Sequence, residues 1–183
     1  MRGYDRRAFL AAGAAAVTAL SGCTQVPGTG GGPESGTGTG GSEDAPTELE
    51  TLDVGGSSGE TVPVVSEGTV TLLDFFATYC APCKPQMDEL RTVRSSLPDV
   101  HMLSITWETE PETVRSFWRE YDGTWPVAME PDMETGPAFG VDGLPTMLVL
   151  DAEGVETWRH RARPGSEIAK ADRIEAELEA ARQ

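Results

Sequence analysis

Two cysteines separated by two residues, Cys80-Ala81-Pro82-Cys83, lie between an apolar segment and an amphipathic one. The preceding run, Val70 to Phe76, is almost continuously apolar and predicts a strand that is buried on both faces. Downstream, apolar residues recur at helical spacing from Met87 to Leu97, so a helix is predicted from about Ala81 to Ser96. The cysteine pair is therefore expected at a junction where a buried strand leads into a helix.

The rest of the chain alternates between predicted strands and helices. In chain order, the predictions are a weak hairpin within Leu49–Val65, strands at Val100–Thr106 and Trp125–Met129, a helix from Pro111 that Gly123 ends, a short helix near Met133–Phe139, strands at Thr146–Leu150 and Val155–Arg161, and a terminal helix at Glu167–Ala180. This order predicts an α/β fold whose sheet is mixed, with parallel central strands, an antiparallel last pair and flanking helices.

The position of the cysteines favours redox chemistry. Exposed N–H groups and the dipole at a helix N-terminus favour a thiolate, so Cys80 is expected to attack disulfides at neutral pH. Cys83, one turn further on, is expected to resolve the mixed disulfide that results. The pair is thus interpreted as a catalytic dithiol whose only redox group is its own disulfide, with no bound cofactor.

Other uses of two cysteines fit the sequence less well. A structural zinc site needs four ligands, and only His101 and His160 are available to join the pair. Haem attachment would need histidine at position 84, which is Lys84. A purely structural disulfide here would close a short loop and add little stability. A non-enzymatic carrier that binds Cu(I) through the two thiolates is a further alternative, and no metal site is predicted.

The stretch Phe75 to Lys84 resembles the active site of thioredoxin-like proteins, and most closely the membrane-anchored TlpA/ResA-like group of thiol–disulfide oxidoreductases. The resemblance continues through Gly143-Leu144-Pro145-Thr146 and covers roughly residues 50–180. It implies a thioredoxin-like fold with an extra strand and helix inserted before a cis-proline at Pro145. It also implies that Ala81, Pro82, Leu144 and Pro145 contact an extended substrate segment next to its disulfide.

Asp74 is a carboxylate within an otherwise apolar predicted strand, six positions before Cys80. Burial would favour its protonated form, so Asp74 is predicted to exchange a proton with Cys83; a buried aspartate without a catalytic part is the alternative. The membrane-anchored group often has asparagine here and a glutamate three residues after the second cysteine, where this chain has Gln86. That group also has proline where this chain has Asp88. We therefore expect the proton-handling carboxylate on the strand.

Trp107 and Glu108 follow the second long predicted strand, at an edge where sites of α/β proteins gather. Two interpretations stay open. The pair flanks a substrate groove, or the tryptophan packs at the rim and the glutamate is simply solvated.

The first 46 residues are interpreted as an export signal followed by a flexible linker. Arg6 and Arg7 precede an alanine-rich apolar run that is too short for a stable membrane span, which resembles a twin-arginine export signal at residues 1–22. The run ends in a lipobox-like Leu20-Ser21-Gly22-Cys23, so Cys23 is predicted to carry the lipid anchor; a soluble secreted protein is the alternative. Residues 23–46, rich in Gly, Ser and Thr, are a predicted flexible linker, and 47–183 the catalytic domain.

The formal net charge of −16 argues against nucleic-acid binding, which needs basic residues against phosphate. Only Lys84 and Lys170 are lysines among the 14 basic residues. This acidic, lysine-poor composition resembles proteins of extreme halophiles, although an arginine-rich genome would also produce it.

Together these features predict an enzyme at the outer face of the cytoplasmic membrane that exchanges thiols and disulfides with exported proteins. The resemblance implies reduction, with apocytochrome c among the substrates and a membrane thiol carrier as the electron donor. A disulfide-forming oxidase of the same fold is the main alternative, because sequence does not give the reduction potential.

Overall fold

The computed structural model describes residues 46–162 and 167–183. The predicted export signal at residues 1–22, the predicted lipidation site Cys23 and the linker up to residue 45 lie outside the described residues. The boundaries proposed for these segments stay predictions.

The elements of the described residues alternate much as the sequence predicts. They are β1 (Glu48–Glu50), β2 (Thr61–Pro63), β3 (Thr71–Phe75), α1 (Cys83–Ser96), β4 (His101–Thr106), α2 (Pro111–Glu120), β5 (Val127–Met129), α3 (Thr135–Ala138), β6 (Thr146–Leu150), β7 (Glu156–Arg161) and α4 (Ala171–Ala180). Among the described helices, the longest has 14 residues, and none is long and apolar enough to cross a membrane.

Five strands form one mixed sheet in the order β5-β4-β3-β6-β7. β3, β4 and β5 are parallel, whereas β6 and β7 are antiparallel to their neighbours. The N-terminal hairpin β1–β2 lies along β5, where Leu52 N donates to Val127 O at 2.8 Å. The predicted mixed sheet with flanking helices and an inserted strand and helix, β5 and α3, before Pro145 is confirmed.

β3 lies in the middle of the sheet and separates two apolar clusters. Leu72 and Phe76 point to one face, where they pack with Cys83 and the buried residues of α1, α2 and α4. Leu73 and Phe75 point to the other face, where the hairpin and the end of α3 cover the sheet. Every β3 residue is buried, because helices and loops cover both faces of the strand.

Helices α1 and α4 begin later than predicted. α1 starts at Cys83 rather than Ala81, since the residue that precedes Pro82 is disfavoured in the helical conformation. α4 starts at Ala171 rather than Glu167, and Lys170 is extended with φ −82° and ψ 149°. Ala169 explains the second difference, because its backbone is bonded to a side chain of α1 instead of continuing a helix.

The end of α2 also differs from prediction. The residue with positive φ after this helix is Asp122, at 50°, and not Gly123. Gly123 is needed for packing instead, since a Cβ atom at this position would lie 2.5 Å from the indole ring of Trp118. The glycine thus makes room for a buried tryptophan, which sequence alone does not distinguish from a helix stop.

Candidate active site

Cys80 and Cys83 are joined by a disulfide bond between the end of β3 and the start of α1. Their Cα atoms lie 5.3 Å apart, and Cys83 N donates to Cys80 O at 3.1 Å in the turn between them. Cys83 is only 2% exposed, whereas Cys80 is half-buried and the intervening Ala81 and Pro82 are exposed. One cysteine is therefore partly open to solvent and the other is not.

The start of α1 has no acidic residue in its first turn, so its N–H groups and dipole are not neutralised locally. Cys80 lies three residues before the first helical residue, so it precedes the helix, as the predicted start near Ala81 also implied. The helix terminus still faces the cysteine pair, because Cys83 itself is that first residue. This arrangement favours negative charge on sulfur once the disulfide is reduced.

The Leu144–Pro145 peptide bond is cis, as the resemblance implied. Its loop is fixed from two sides: Thr146 Oγ1 donates to Gly143 O at 2.6 Å, and the Arg161 guanidinium pairs with Asp142 at 2.6 Å. Leu144 is half-buried and packs against the same apolar cluster as Cys80. The fold thus brings the two predicted site segments to the edge of one cluster, although they are more than 60 positions apart in sequence.

Asp74 is 1% exposed and has one side-chain partner among the described residues. Its Oδ2 accepts a hydrogen bond from Ser104 Oγ at 2.9 Å, and its Oδ1 has no partner. Burial raises the pKa of Asp74 from 3.8 to about 7, and the Ser104 hydrogen bond only partly opposes this effect. At neutral pH the carboxyl group can both take up and release a proton.

The side chain of Asp74 lies on the Cys83 side of the sheet. Alternate residues of a strand share a face, and both Leu72 and Phe76 belong to the cluster that contains Cys83. The predicted pairing of Asp74 with Cys83 therefore agrees with the side of the sheet on which each group lies.

Gln86 replaces the glutamate of the TlpA/ResA-like group and has a structural use here. Its amide is 1% exposed and makes two hydrogen bonds to the backbone of Ala169, from Nε2 to O at 2.9 Å and from Ala169 N to Oε1 at 3.0 Å. Asp88, the other departure, is exposed and pairs with Arg91 at 2.8 Å. Neither position offers a carboxylate to the buried sulfur.

Glu108 is a site residue whose contacts sequence reasoning did not identify. Its carboxylate accepts hydrogen bonds from Thr78 N and Thr78 Oγ1, both at 2.7 Å, and from Thr106 Oγ1 at 3.2 Å. The loop that leads into Cys80 is thus fixed to the end of β4. A threonine two residues before the first cysteine and an acid after the adjacent parallel strand are the sequence signal for this contact.

Trp107 packs at the rim, as one of the two interpretations expected. Its ring centroid lies 6.1 Å from that of Phe75, and it covers Gly136, where a Cβ atom would come within 2.5 Å of the indole.

A groove of about 420 Å³ opens beside the cysteine pair, between α1 and α2. Thr78 and Lys84 line the side of the groove next to the cysteine pair. Phe117 of α2 and Tyr121, which follows α2, line the opposite side. Tyr79, next to Cys80, is 78% exposed. In the part of the chain that the structure describes, no three His, Cys, Asp or Glu side chains form a group that could hold a metal ion.

This arrangement of cysteines and cis-proline loop has counterparts among known proteins. The sequence profile of a family described as Redoxin matches residues 45–176, which is most of the chain. The chain belongs to the Redoxin family. Both cysteines, Asp74 and the cis-proline loop lie within the matched segment of this Redoxin-family chain.

Several proteins similar in sequence are thiol–disulfide proteins by name. The chain is 27% identical to the thiol-disulfide oxidoreductase ResA of Bacillus thuringiensis subsp. konkukian over 90 residues, 48% of this chain and 52% of that protein. It is 25% identical to the thiol:disulfide interchange protein HelX of Rhodobacter capsulatus over 89 residues, 48% of this chain and 49% of that protein. The matching segment spans about half the length of these relatives.

Solved structures confirm the fold. A secreted disulfide oxidoreductase of Mycobacterium tuberculosis, described as homologous to DsbE of E. coli, matches with a TM-score of 0.63 at 19% identity, over 73% of this chain and 94% of that one. The exposed lipoprotein thioredoxin Etrx1 of Streptococcus pneumoniae matches with a TM-score of 0.60 at 20% identity, over 73% and 97%. The family and these likenesses agree on a thioredoxin-like α/β architecture.

Proposed function

We propose that the protein is an extracytoplasmic thiol–disulfide oxidoreductase that reduces disulfides of exported proteins. The observation that carries this proposal is the asymmetry of the pair: Cys80 is accessible, Cys83 is buried, and both lie at the start of a helix without acidic residues in its first turn. The names of ResA and HelX support the same chemistry.

In the proposed reaction, the Cys80 thiolate attacks a substrate disulfide, which joins Cys80 to one substrate sulfur and releases the other as a thiolate that takes a proton from water. Cys83 then attacks Cys80 Sγ while its proton passes to Asp74, which re-forms the Cys80–Cys83 bond and releases the second substrate sulfur as a thiolate that takes a proton from water. Two electrons pass from the dithiol to the substrate. A partner dithiol, proposed to be a membrane thiol carrier, reduces the pair again, so no bound cofactor is required.

The substrate segment is proposed to lie across Ala81, Pro82, Leu144 and Pro145. Ala81 and Pro82 are exposed, and Leu144 packs at the edge of the cluster that Cys80 also touches. The resemblance to thioredoxin-like proteins implies that the backbone of Leu144 pairs with an extended peptide, which would place the substrate disulfide near Cys80.

The proposed location rests on the sequence of the N-terminal segment. Twin arginines and a lipobox ending in Cys23 support export and lipid anchoring at the outer face of the cytoplasmic membrane. Two structural relatives are described as secreted and as an exposed lipoprotein. Apocytochrome c is the proposed substrate among exported thiol proteins; the absence of the group's glutamate, at Gln86, makes a broader substrate range equally compatible.

Trapping of mixed disulfides tests the exchange itself. Cys83→Ser should accumulate a covalent adduct with substrate through Cys80, whereas Cys80→Ser should form none, since Cys83 is buried. If neither variant traps an adduct, the protein is not an exchange enzyme.

The reduction potential of the Cys80–Cys83 couple tests the direction. A value of about −270 mV or lower would support a reductant, and one near about −120 mV would establish the alternative, a disulfide-forming oxidase.

The role of Asp74 has its own test. Titration of the Cys83 thiol in the reduced wild type and in Asp74→Asn should give different curves, and Asp74→Asn should resolve mixed disulfides more slowly. Identical titration curves and rates would remove Asp74 from the mechanism.

A further inference from the structure

A chain of three buried side chains ends at Asp74. Trp125 Nε1 donates a hydrogen bond to Ser104 Oγ at 2.8 Å, and Ser104 Oγ lies 2.9 Å from Asp74 Oδ2. Trp125 and Ser104 are both 0% exposed, so water does not compete for these contacts. These hydrogen bonds connect the segment before β5 to β4, and β4 to β3. Ser104 on β4 is the cross-strand partner of Asp74 on β3.

The direction of donation in this chain is fixed by chemistry. An indole N–H only donates, so Ser104 must accept from Trp125. The Ser104 hydroxyl has one hydrogen of its own, and Asp74 is its only acceptor among the described residues. Asp74 Oδ2 is therefore held as an acceptor, which leaves Oδ1, the oxygen without a partner, as the atom that binds the proton.

We propose that Ser104 and Trp125 are positioning residues that hold Asp74 Oδ2 as an acceptor, so that Asp74 exchanges its proton with Cys83 through Oδ1. This inference rests on the proposed exchange function and adds two residues to its proton path. When Cys83 attacks Cys80, the Cys83 proton is transferred to Oδ1. It leaves Oδ1 again when the dithiol is regenerated.

Little else in the described structure sets the charge state of Asp74. On this face, β3 contributes Leu72 and Phe76, β6 contributes Met147 opposite Asp74, and α1 contributes Cys83, Met87 and Leu90. Among these residues only Cys83 can titrate, and only once the disulfide is reduced. Burial and the Ser104 hydrogen bond are the influences on the pKa of Asp74, with no charged group among them.

The experiment titrates Asp74 in the full-length oxidised protein, where neither cysteine can titrate. The ¹³C signal of the side-chain carboxyl carbon of labelled aspartate reports the titration of each aspartate. The signal that disappears in Asp74→Asn is that of Asp74. In Ser104→Ala we expect Asp74 to bind its proton about tenfold more tightly, because the ionised carboxylate of Asp74 loses its only hydrogen bond. Ser104→Thr, which keeps the hydroxyl, should titrate close to wild type.

Trp125 acts through Ser104, so its effect must depend on Ser104. A hydroxyl that accepts a hydrogen bond is a stronger donor, so Trp125→Phe should shift the titration in the same direction as Ser104→Ala but by less. In the Ser104→Ala background, Trp125→Phe should add no further shift. Trp118→Phe is the matched control, because it removes a neighbouring buried indole bond, to Trp125 O at 3.0 Å, without touching Ser104.

An unchanged Asp74 titration in Ser104→Ala would overturn the proposal, as would equal shifts in Trp118→Phe and Trp125→Phe. If Trp125→Phe does not fold, the comparison of Ser104→Ala with Ser104→Thr decides the role of the hydroxyl.

A second measurement in the reduced protein separates the two proposals. The pH midpoint of mixed-disulfide resolution should move upward in Ser104→Ala together with the Asp74 titration. If the titration moves and the resolution midpoint does not, then Asp74 does not handle the Cys83 proton and the proton path is overturned. Loss of exchange in every protein, wild type included, would instead refute the proposed function.

Discussion

Asp74 destabilises the fold whenever it is ionised, because its carboxylate is buried with one hydrogen bond and has no counter-ion among the described residues. Since burial raises its pKa from 3.8 to about 7, the folded protein keeps a proton that the unfolded chain loses in this range. That bound proton stabilises the fold fully below about pH 4, and the stabilisation is lost as the pH rises through about 7.

Asp74→Asn should remove this pH dependence. We expect the free energy of unfolding of the variant, relative to wild type, to rise by about 4 kcal/mol between pH 4 and pH 8, which urea unfolding of the oxidised proteins measures. Asp53→Asn is the control, since it makes the same replacement at an exposed aspartate. A difference between Asp74→Asn and wild type that is the same at both pH values would contradict the prediction.

Glu108 fixes the loop before Cys80 with three accepted hydrogen bonds, and an amide cannot accept all of them in the same geometry. Glu108→Gln should lower the free energy of unfolding by about 1–3 kcal/mol and slow the exchange reaction. Hydrogen exchange of the Thr78 amide should become at least about tenfold faster, which NMR measures residue by residue.

Glu110 offers a matched control for Glu108→Gln, because it lies two residues away, is exposed and makes no capping bond to α2 through its side chain. Glu110→Gln should leave the Thr78 amide unchanged. Equal protection of Thr78 in both variants would show that Glu108 does not hold the loop.

At the scale of elements, α1 and α4 are joined by side chains of α1 that bind the start of α4. Gln86 binds Ala169, and Glu89 accepts from Ala171 N at 2.8 Å and pairs with Lys170 at 3.1 Å. Glu89 thereby satisfies an N–H group at the first turn of α4 that no residue of its own helix can reach.

Gln86→Leu should destabilise the fold without changing the redox properties of the dithiol. It leaves both backbone groups of Ala169 buried and unpaired, so we expect the free energy of unfolding to fall by about 2–4 kcal/mol. The reduction potential of the dithiol should stay as in wild type. Urea unfolding and a redox titration measure the two effects, with the exposed Thr92→Ala on the same helix as control. A shifted potential would show that Gln86 influences the cysteines after all.

Local patterns were sufficient to predict the elements that carry the site. The apolar run before Cys80 predicts β3, and the spacing of Met87 and Leu90 predicts α1. In each case the signal lies within one segment, because burial on one face or on both imposes a period on the sequence itself.

Contacts between distant segments could not be predicted. The start of α4 depends on Gln86, 83 positions before Ala169, and the loop before Cys80 depends on Glu108, 30 positions after Thr78. The Ser104–Asp74 pair likewise needs the register of two strands. No period in the sequence reports such pairs, so Glu108 appeared only as a residue at a strand end and Ser104 not at all.

On the scale of the whole molecule, a formal charge of −16 on 183 residues opposes compaction. The ion pairs of the described residues involve exposed or partly exposed side chains, such as Arg182–Asp99 and Lys170–Glu89, and pairs of this kind contribute little to stability. Screening should therefore relieve more repulsion than it weakens attraction.

The protein should accordingly gain stability with salt. We expect the midpoint of urea unfolding to rise between 0.1 M and 1 M KCl, as the Debye length falls from about 10 Å to about 3 Å. An equal rise with the uncharged osmolyte sucrose would point to solvent exclusion rather than screening. A midpoint that falls with salt would contradict both this expectation and the resemblance to halophilic proteins.

Lysine is rare in this chain, so Lys84 offers a selective cross-linking site at the groove beside the dithiol. Lys84 lines that groove and is exposed, and Lys170, the other lysine of the chain, is held against Glu89. Amine-directed cross-linking would therefore sample this protein at very few positions, one of them adjacent to Cys83. Proteins that become coupled to wild type but not to Lys84→Arg would be those that dock at the groove, including partners that dissociate without ever forming a mixed disulfide.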